Sequence, residues 1–260
     1  MNTENKTKGA DANFPKAAAR IWLNEEEIQD KVRKLSVLKG ISLTLLLLSV
    51  LPYIFYFITL TDLIKWEIPS SMLVPAVISS MAVIIISGIL YSVFSKKLKD
   101  FLAENVIHDI LAKNFELIEY KHYISLSASL LREVKMPSWE SSRGDHYIKA
   151  KYKEASFEFS NVELYISGSG DDSDQTVFKG IWLVIHLDKE ITAQVIENSN
   201  KFFTFTENNV HIIQTRPFLF QSGIVKNVQD FREKMKIDVN FIKGMIDELL
   251  EKVYYTGASR

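Results

Sequence analysis

Two stretches, ISLTLLLLSVLPYIFYFITL at 41–60 and IPSSMLVPAVISSMAVIIISGILYSVFS at 68–95, contain no charged residue. A helix needs about 20 apolar residues to cross the ~30 Å hydrocarbon core of a bilayer, so each run is long enough to span one. Only the residues 61–67 separate them, which leaves room for a tight turn and nothing larger. The reading is a transmembrane hairpin with spans at about 38–60 and 70–95. The remaining 96–260 has the composition of a soluble domain.

The flanking charges orient the hairpin, because short basic loops stay in the cytoplasm. Lys31, Arg33, Lys34 and Lys39 precede the first span, and Lys96, Lys97 and Lys99 follow the second. The turn holds Lys65 alone, set against Asp62 and Glu67. This predicts a multi-pass protein of the cell membrane with both termini cytoplasmic. Trp66 has the position of an interfacial anchor, with Tyr53, Tyr56 and Tyr91 inside the spans. Pro75 is expected in the first turn of the second helix, where its missing N–H is harmless. Pro52 is expected to kink the first. The spans hold no Asp, Glu, Lys, Arg or His, hence no proton relay or ion path, and the hairpin reads as an anchor. The first run starts about 40 residues in, beyond the reach of a signal peptide.

The chain carries 31 basic and 32 acidic residues, for a net charge of −1. That balance gives no general attraction to nucleic acid. Zero cysteines excludes disulfides, thiolate catalysis and cysteine-ligated metals.

Residues 1–20 are polar and aperiodic and read as a disordered tail. The segment 21–95 then holds an amphipathic helix and the hairpin. Asn24 with Glu27 makes a capping box, and Leu23 with Ile28 occupies the hydrophobic-staple positions. Ile21, Ile28, Val32 and Leu35 form a sparse stripe, expected to pack a cytoplasmic extension of the first spanning helix on its own domain. After the second span, Leu98, Leu102, Val106 and Ile110 recur at i+4, so the helix should continue to about Asn114. Strand character at Tyr120–Leu126 and helix at Ser127–Val134 compete in the next segment.

From Asp145 the period becomes two. Ile148, Ala150 and Tyr152 share one face, and Phe157 with Phe159 continues the alternation. Val162, Leu164 and Ile166 then switch parity, which predicts a β-bulge near Ser160–Asn161. From Val177 to Leu187 both faces are apolar, with Ile181, Leu183 and Ile185 on one and Phe178, Trp182 and Val184 on the other. This is the pattern of a central strand covered on both sides. Strands fit Lys201–Thr206 and Val210–Gln214, joined by a turn at Glu207, Asn208 and Asn209. A last amphipathic helix starts at Asn227 and Asp230 and carries Val228, Phe231, Met235, Val239, Ile242, Ile246, Leu249 and Val253. The expected fold of 96–260 is α+β, an antiparallel sheet flanked by helices.

Candidate chemistry is sparse. Asp171, Asp172 and Asp174 offer hard oxygen ligands for calcium, but the loop lacks EF-hand spacing and reads as a solvated hairpin loop. His186 in the central strand and His146 are the histidines of interest, with a satisfied core histidine the ordinary reading of each. Arg216 before Pro217 is a candidate for carboxylate or phosphate recognition, against a structural salt bridge at a strand edge. No nucleophile elbow, phosphate loop or histidine pair at metal-ligand spacing occurs.

The segments Asp145–Tyr152, Phe157–Leu164 and Val177–Ile185, with Phe218-Leu219-Phe220 before the last helix, resemble the bacterial domain-of-unknown-function family numbered 3137. The resemblance covers roughly 100–255, departing between about Glu197 and Thr204, where members carry extra strands. It implies a spanning pair ahead of an α+β domain and supplies no catalytic residue. Taken together, the residues predict a membrane-anchored cytoplasmic binding or scaffold domain, without cofactor or catalytic residue. Its expected partners are the lipid bilayer and a membrane or cytoplasmic protein. The alternative is a membrane-associated enzyme acting on a lipid or envelope precursor.

Overall fold

The computed structural model of the chain describes residues 23–60, 70–168, 173–186, 196–198, 201–206, 209–222, 225 and 227–257. The N-terminal tail, Ile21, the turn at 61–67 with Trp66, and Asp171, Asp172, Glu207 and Asn208 lie outside them. The protein is α+β. Helices α1 (Glu25–Leu48), α2 (Leu51–Leu60) and α3 (Ser70–Leu102) come first. A π-helical turn at Ala103–Ile107 joins α3 to α4 (His108–Asn114). The sheet strands are β1 (Glu116–Lys121), β2 (Ser141–Tyr152), β3 (Ala155–Ile166), β4 (Gln175–His186), β5 (Ile196–Asn198), β6 (Lys201–Phe205) and β7 (Asn209–Gln214). Short α5 (Ala128–Arg132) lies between β1 and β2, and α6 (Val228–Gly257) closes the chain. The seven strands run antiparallel in the order β1-β2-β3-β4-β7-β6-β5.

Helix α1 starts as its sequence dictates. Asn24 Oδ1 accepts from Glu27 N at 2.8 Å, and Glu27 Oε2 accepts from Asn24 N at 2.9 Å, satisfying two otherwise orphaned donors. The helix breaks at Ser49–Val50, just before Pro52, whose ring collides with the carbonyl four residues earlier. Tyr53 N and Ile54 N both turn back to Val50 O. Pro75 differs from expectation. Because α3 begins at Ser70, Pro75 lies past the first turn, inside the helix.

Two helical stretches, Glu25–Ile58 and Pro75–Asn114, are long and apolar enough to cross a membrane, and only 11% of the most apolar window of each is buried. The core helix of a soluble protein would be mostly covered. Here Ile41, Leu47, Phe57, Ile78, Met81 and Ile86 are exposed. The few buried positions are small: Ser42, Ser80 and Ser87, with Gly88 facing Leu46. Small side chains let α1 and α3 approach closely, and Tyr53 Oη donates to Val77 O at 3.1 Å to tie α2 to α3.

Below the apolar stretch both helices enter one core. Ile28 and Val32 of α1 and Leu98, Phe101, Leu102, Val106 and Ile107 of the α3 continuation pack with the sheet and α6. The π turn leaves a carbonyl without its usual donor, and Asn105 Nδ2 donates to Phe101 O at 2.9 Å. Polar contacts tie the same elements. Arg232 of α6 bridges Asp109 of α4 at 2.8 Å and Glu25 of α1 at 3.0 Å. Gln29 of α1 accepts from Val228 N at the start of α6.

The sheet is covered on both faces. Phe157, Phe159, Ile181, Leu183 and Ile185 face the helices, while Val162, Leu164, Phe178, Trp182 and Val184 face a second, smaller core with Leu126, Leu131 and Val134. The parity switch in β3 therefore needs no extra residue in that strand. The bulge instead lies in β2, where His146 and Tyr147 oppose the single residue Ser160, and His146 takes φ 56°. A strand buried on one face at one end and on the other face at the other end reads as a shift of register.

Gly180 sits in β4 just before the Ile181–Gln214 pair that ends its ladder with β7. A Cβ there would lie 2.1 Å from Gln214 O and 2.9 Å from the Phe178 ring. Gly180→Ala should separate the strands locally and cost about 2–3 kcal/mol in chemical denaturation. A loss below about 1 kcal/mol would mean the strands part without strain.

Candidate functional site

A polar network lies on the smaller-core face of the sheet, where β4 and β7 bring two histidines to one carboxylate each. His211 of β7 is fully buried, and its Nδ1 accepts from the indole Nε1–H of Trp182 at 3.1 Å. Indole is a donor only, so Nε2 carries the His211 proton and donates it to Glu133 Oε2 at 3.0 Å. The same carboxylate oxygen accepts from Asn209 Nδ2 at 2.8 Å and from Thr206 Oγ1 at 3.3 Å. Burial pushes the Glu133 carboxyl up, but these hydrogen bonds outweigh it and hold it below the usual range. Burial likewise depresses His211, against the pull of Glu133.

Asn209 links this group to the next. Its amide donates to Glu133, so its Oδ1 is free to accept from His186 Nδ1 at 2.7 Å. His186 Nε2 lies 3.3 Å from Glu158 Oε1, an ion-pair distance without hydrogen-bond alignment. Glu158 also accepts from Tyr147 Oη at 2.9 Å and pairs with Lys149 at 3.1 Å. The His186 contact above all holds the Glu158 carboxyl down at about 2, and Glu158 in turn raises His186. Each His186 nitrogen thus has an oxygen nearby, Asn209 Oδ1 at Nδ1 and Glu158 Oε1 at Nε2.

His146 belongs to a separate cluster. It is buried, with Nδ1 in a hydrogen bond with Tyr120 Oη at 2.8 Å and lying 3.4 Å from His122 Nδ1. Burial first, then the neighbouring His122 and Lys99, lowers His146 to about 3, so it stays neutral. Next to it, Asn161 pins the strap between β7 and α6. Its amide donates to Asp145 Oδ1 at 2.6 Å and Leu219 O at 2.9 Å, and its Oδ1 accepts from Leu219 N at 2.9 Å. Phe220, at φ 58°, donates its N–H to Asp238 and packs beside the His146 ring.

His186 and His146 thus sit in different networks. Asp174 lies beside the β3–β4 hairpin connection, accepting from Gly168 N and 3.9 Å from Arg143. Arg216 forms no salt bridge among the described residues. Its guanidinium lies 3.8 Å over the Phe241 ring, and the carboxylate of Asp238 is taken by Phe220 N. No group of three His, Asp or Glu among the described residues is placed to hold a metal ion. Glu133, Asn209 and His211 were not legible as partners, since Glu133 and His211 are 78 residues apart and form no local motif.

Both nitrogens of His211 are engaged, and both carboxylates are held below their usual range by several donors. The network ties Glu133, at the end of α5, to Thr206, Asn209 and His211. Compared with known protein families, with curated proteins and with solved structures, the chain matches none.

Proposed function

We propose that the chain is a two-pass cell-membrane protein with both termini cytoplasmic, whose α+β domain is a binding or scaffold module held rigidly against the inner surface. One observation carries this reading. Helices α1 and α3 run from their exposed apolar stretches directly into the core of the domain, burying Ile28 and Val32 from one and Leu98, Phe101 and Leu102 from the other. A domain on a flexible linker would sample many orientations, whereas one sharing its core with its anchor presents a fixed face. Seven basic residues flank the inner ends and Lys65 alone lies in the turn, which supports the orientation. The hydrogen-bonded state of His211, Glu133 and Glu158 supports binding over catalysis. The partner is a membrane or cytoplasmic protein, and the resemblance to the family numbered 3137 brings no activity to this reading.

Reporter fusions after Asp30, Ile64 and Ile110 test the topology. The first and third should report from the cytoplasm and the second from outside. An external signal after Ile110 with an internal one after Asp30 would mean a single crossing. Purified full chain in detergent should also show no turnover of ester or phosphate-ester lipid analogues. Turnover lost in His186→Ala would instead establish an enzyme of lipid or envelope precursors.

A further inference from the structure

Where α1 and α3 leave their apolar stretches, Lys39, Tyr91, Ser92, Ser95, Lys96, Lys99 and Tyr123 line an open groove of ≈ 520 Å³. Three features of it point the same way. The lysines have no carboxylate partner among the described residues. Lys39 lies 5.4 Å over the Tyr91 ring and Lys96 lies 5.9 Å over the Tyr123 ring, contacts that position a cation without neutralising it. Asp100, next to Lys99 in sequence, accepts a hydrogen bond from Tyr123 Oη. Finally, Ser95 Oγ is buried with no hydrogen-bond partner. A buried hydroxyl normally finds one, so an unsatisfied donor in a cationic groove asks for an anion with several acceptor oxygens.

Exposed apolar side chains at Leu38, Ile41, Leu90 and Val93 border the same level of the helices. An occupant with an anionic head and an apolar tail meets both surfaces. We propose that this groove binds the phosphate of an anionic phospholipid, with the three lysines around the phosphodiester and Ser95 Oγ donating to one of its oxygens. Basic pockets between spanning helices on the cytoplasmic side are suited to such headgroups. The proposal rests on the bilayer reading above, yet it can fail alone, since a correctly inserted hairpin need not prefer any lipid.

The test is native mass spectrometry of the full chain extracted from equimolar phosphatidylcholine–phosphatidylglycerol vesicles, with chain from pure phosphatidylcholine vesicles as reference. Wild type should retain phosphatidylglycerol in preference to phosphatidylcholine. Combining Lys39→Gln, Lys96→Gln and Lys99→Gln should reduce that preference about tenfold or more. Lys97→Gln, exposed and outside the groove lining, should leave it nearly unchanged. Ser95→Ala should weaken it severalfold with no change of charge. Equal retention of the two lipids, or an equal effect of Lys97→Gln and Lys96→Gln, would overturn the site. Displacement of the lipid by millimolar inorganic phosphate would mean that free phosphate is the ligand, and would also overturn it. The reporter fusions read insertion independently of all these outcomes.

Discussion

Lowering the pH from 7.5 to 5 is expected to cost the folded protein about 2 kcal/mol through His146 alone. In the folded state this imidazole is buried and lowered to about 3, against 6.5 when free. The unfolded chain therefore takes up the proton first. Stability is full above 6.5 and falls as the pH drops from there toward 3, by about 1.4 kcal/mol per unit. His211 and His122, both lowered chiefly by burial, add to the loss. His186 opposes it, because a raised folded value contributes stability below the free value that is lost as pH rises through it. Glu158 enters only later, as its charge is stabilising above 4.5 and is lost toward about 2. The window from 6.5 to 5 thus reports the histidines together with Asp238, whose carboxyl is raised by burial and opposes the loss by protonating first in the folded state. Thermal unfolding of the full chain in a mild detergent should show a fall of about 4–8 °C over this range. His146→Asn, which tolerates the positive φ, should flatten the slope. An unchanged slope in that variant would assign the effect elsewhere.

Asn161→Ala is expected to be the most damaging polar substitution, at about 3–5 kcal/mol. The side chain is fully buried and makes three hydrogen bonds. Removing it strands the N–H and C=O of Leu219 and one oxygen of Asp145, and each buried orphan costs about 1–3 kcal/mol. The strap carrying Phe220 would lose its attachment to β3, so the change should also loosen the start of α6. Asp145→Asn keeps the shape and exchanges one charge-assisted bond for a neutral one, so its loss should be smaller, about 1–2 kcal/mol. Urea denaturation of both variants in detergent separates the contributions. If Asn161→Ala costs less than Asp145→Asn, the strap is held by its apolar contacts and not by this amide.

Much of the architecture is determined by the sequence because its signals are periodic and local. Uncharged runs of spanning length, the Asn24–Glu27 box, the i+4 stripe from Leu98 to Ile110 and the two apolar faces of β4 each need only neighbouring residues to be read. The helix break before Pro52 has the same origin. Tertiary structure alone decided the rest. The parity switch of Val162 and Leu164 arises because a second core covers the far face of β3, and the bulge it mimicked sits in β2. Edge strands β1 and β5 carry too little hydrophobic alternation to announce themselves and exist by pairing with a neighbour. The networks of His186 and His211, of His146 with Tyr120, and of Asn161 with Leu219 join residues brought together only by the sheet. The cationic groove depends on the packing of α1 against α3, which places Lys39 beside Lys96 and Lys99. Periodicity records which side a residue faces, and it holds no record of which distant side chain waits there.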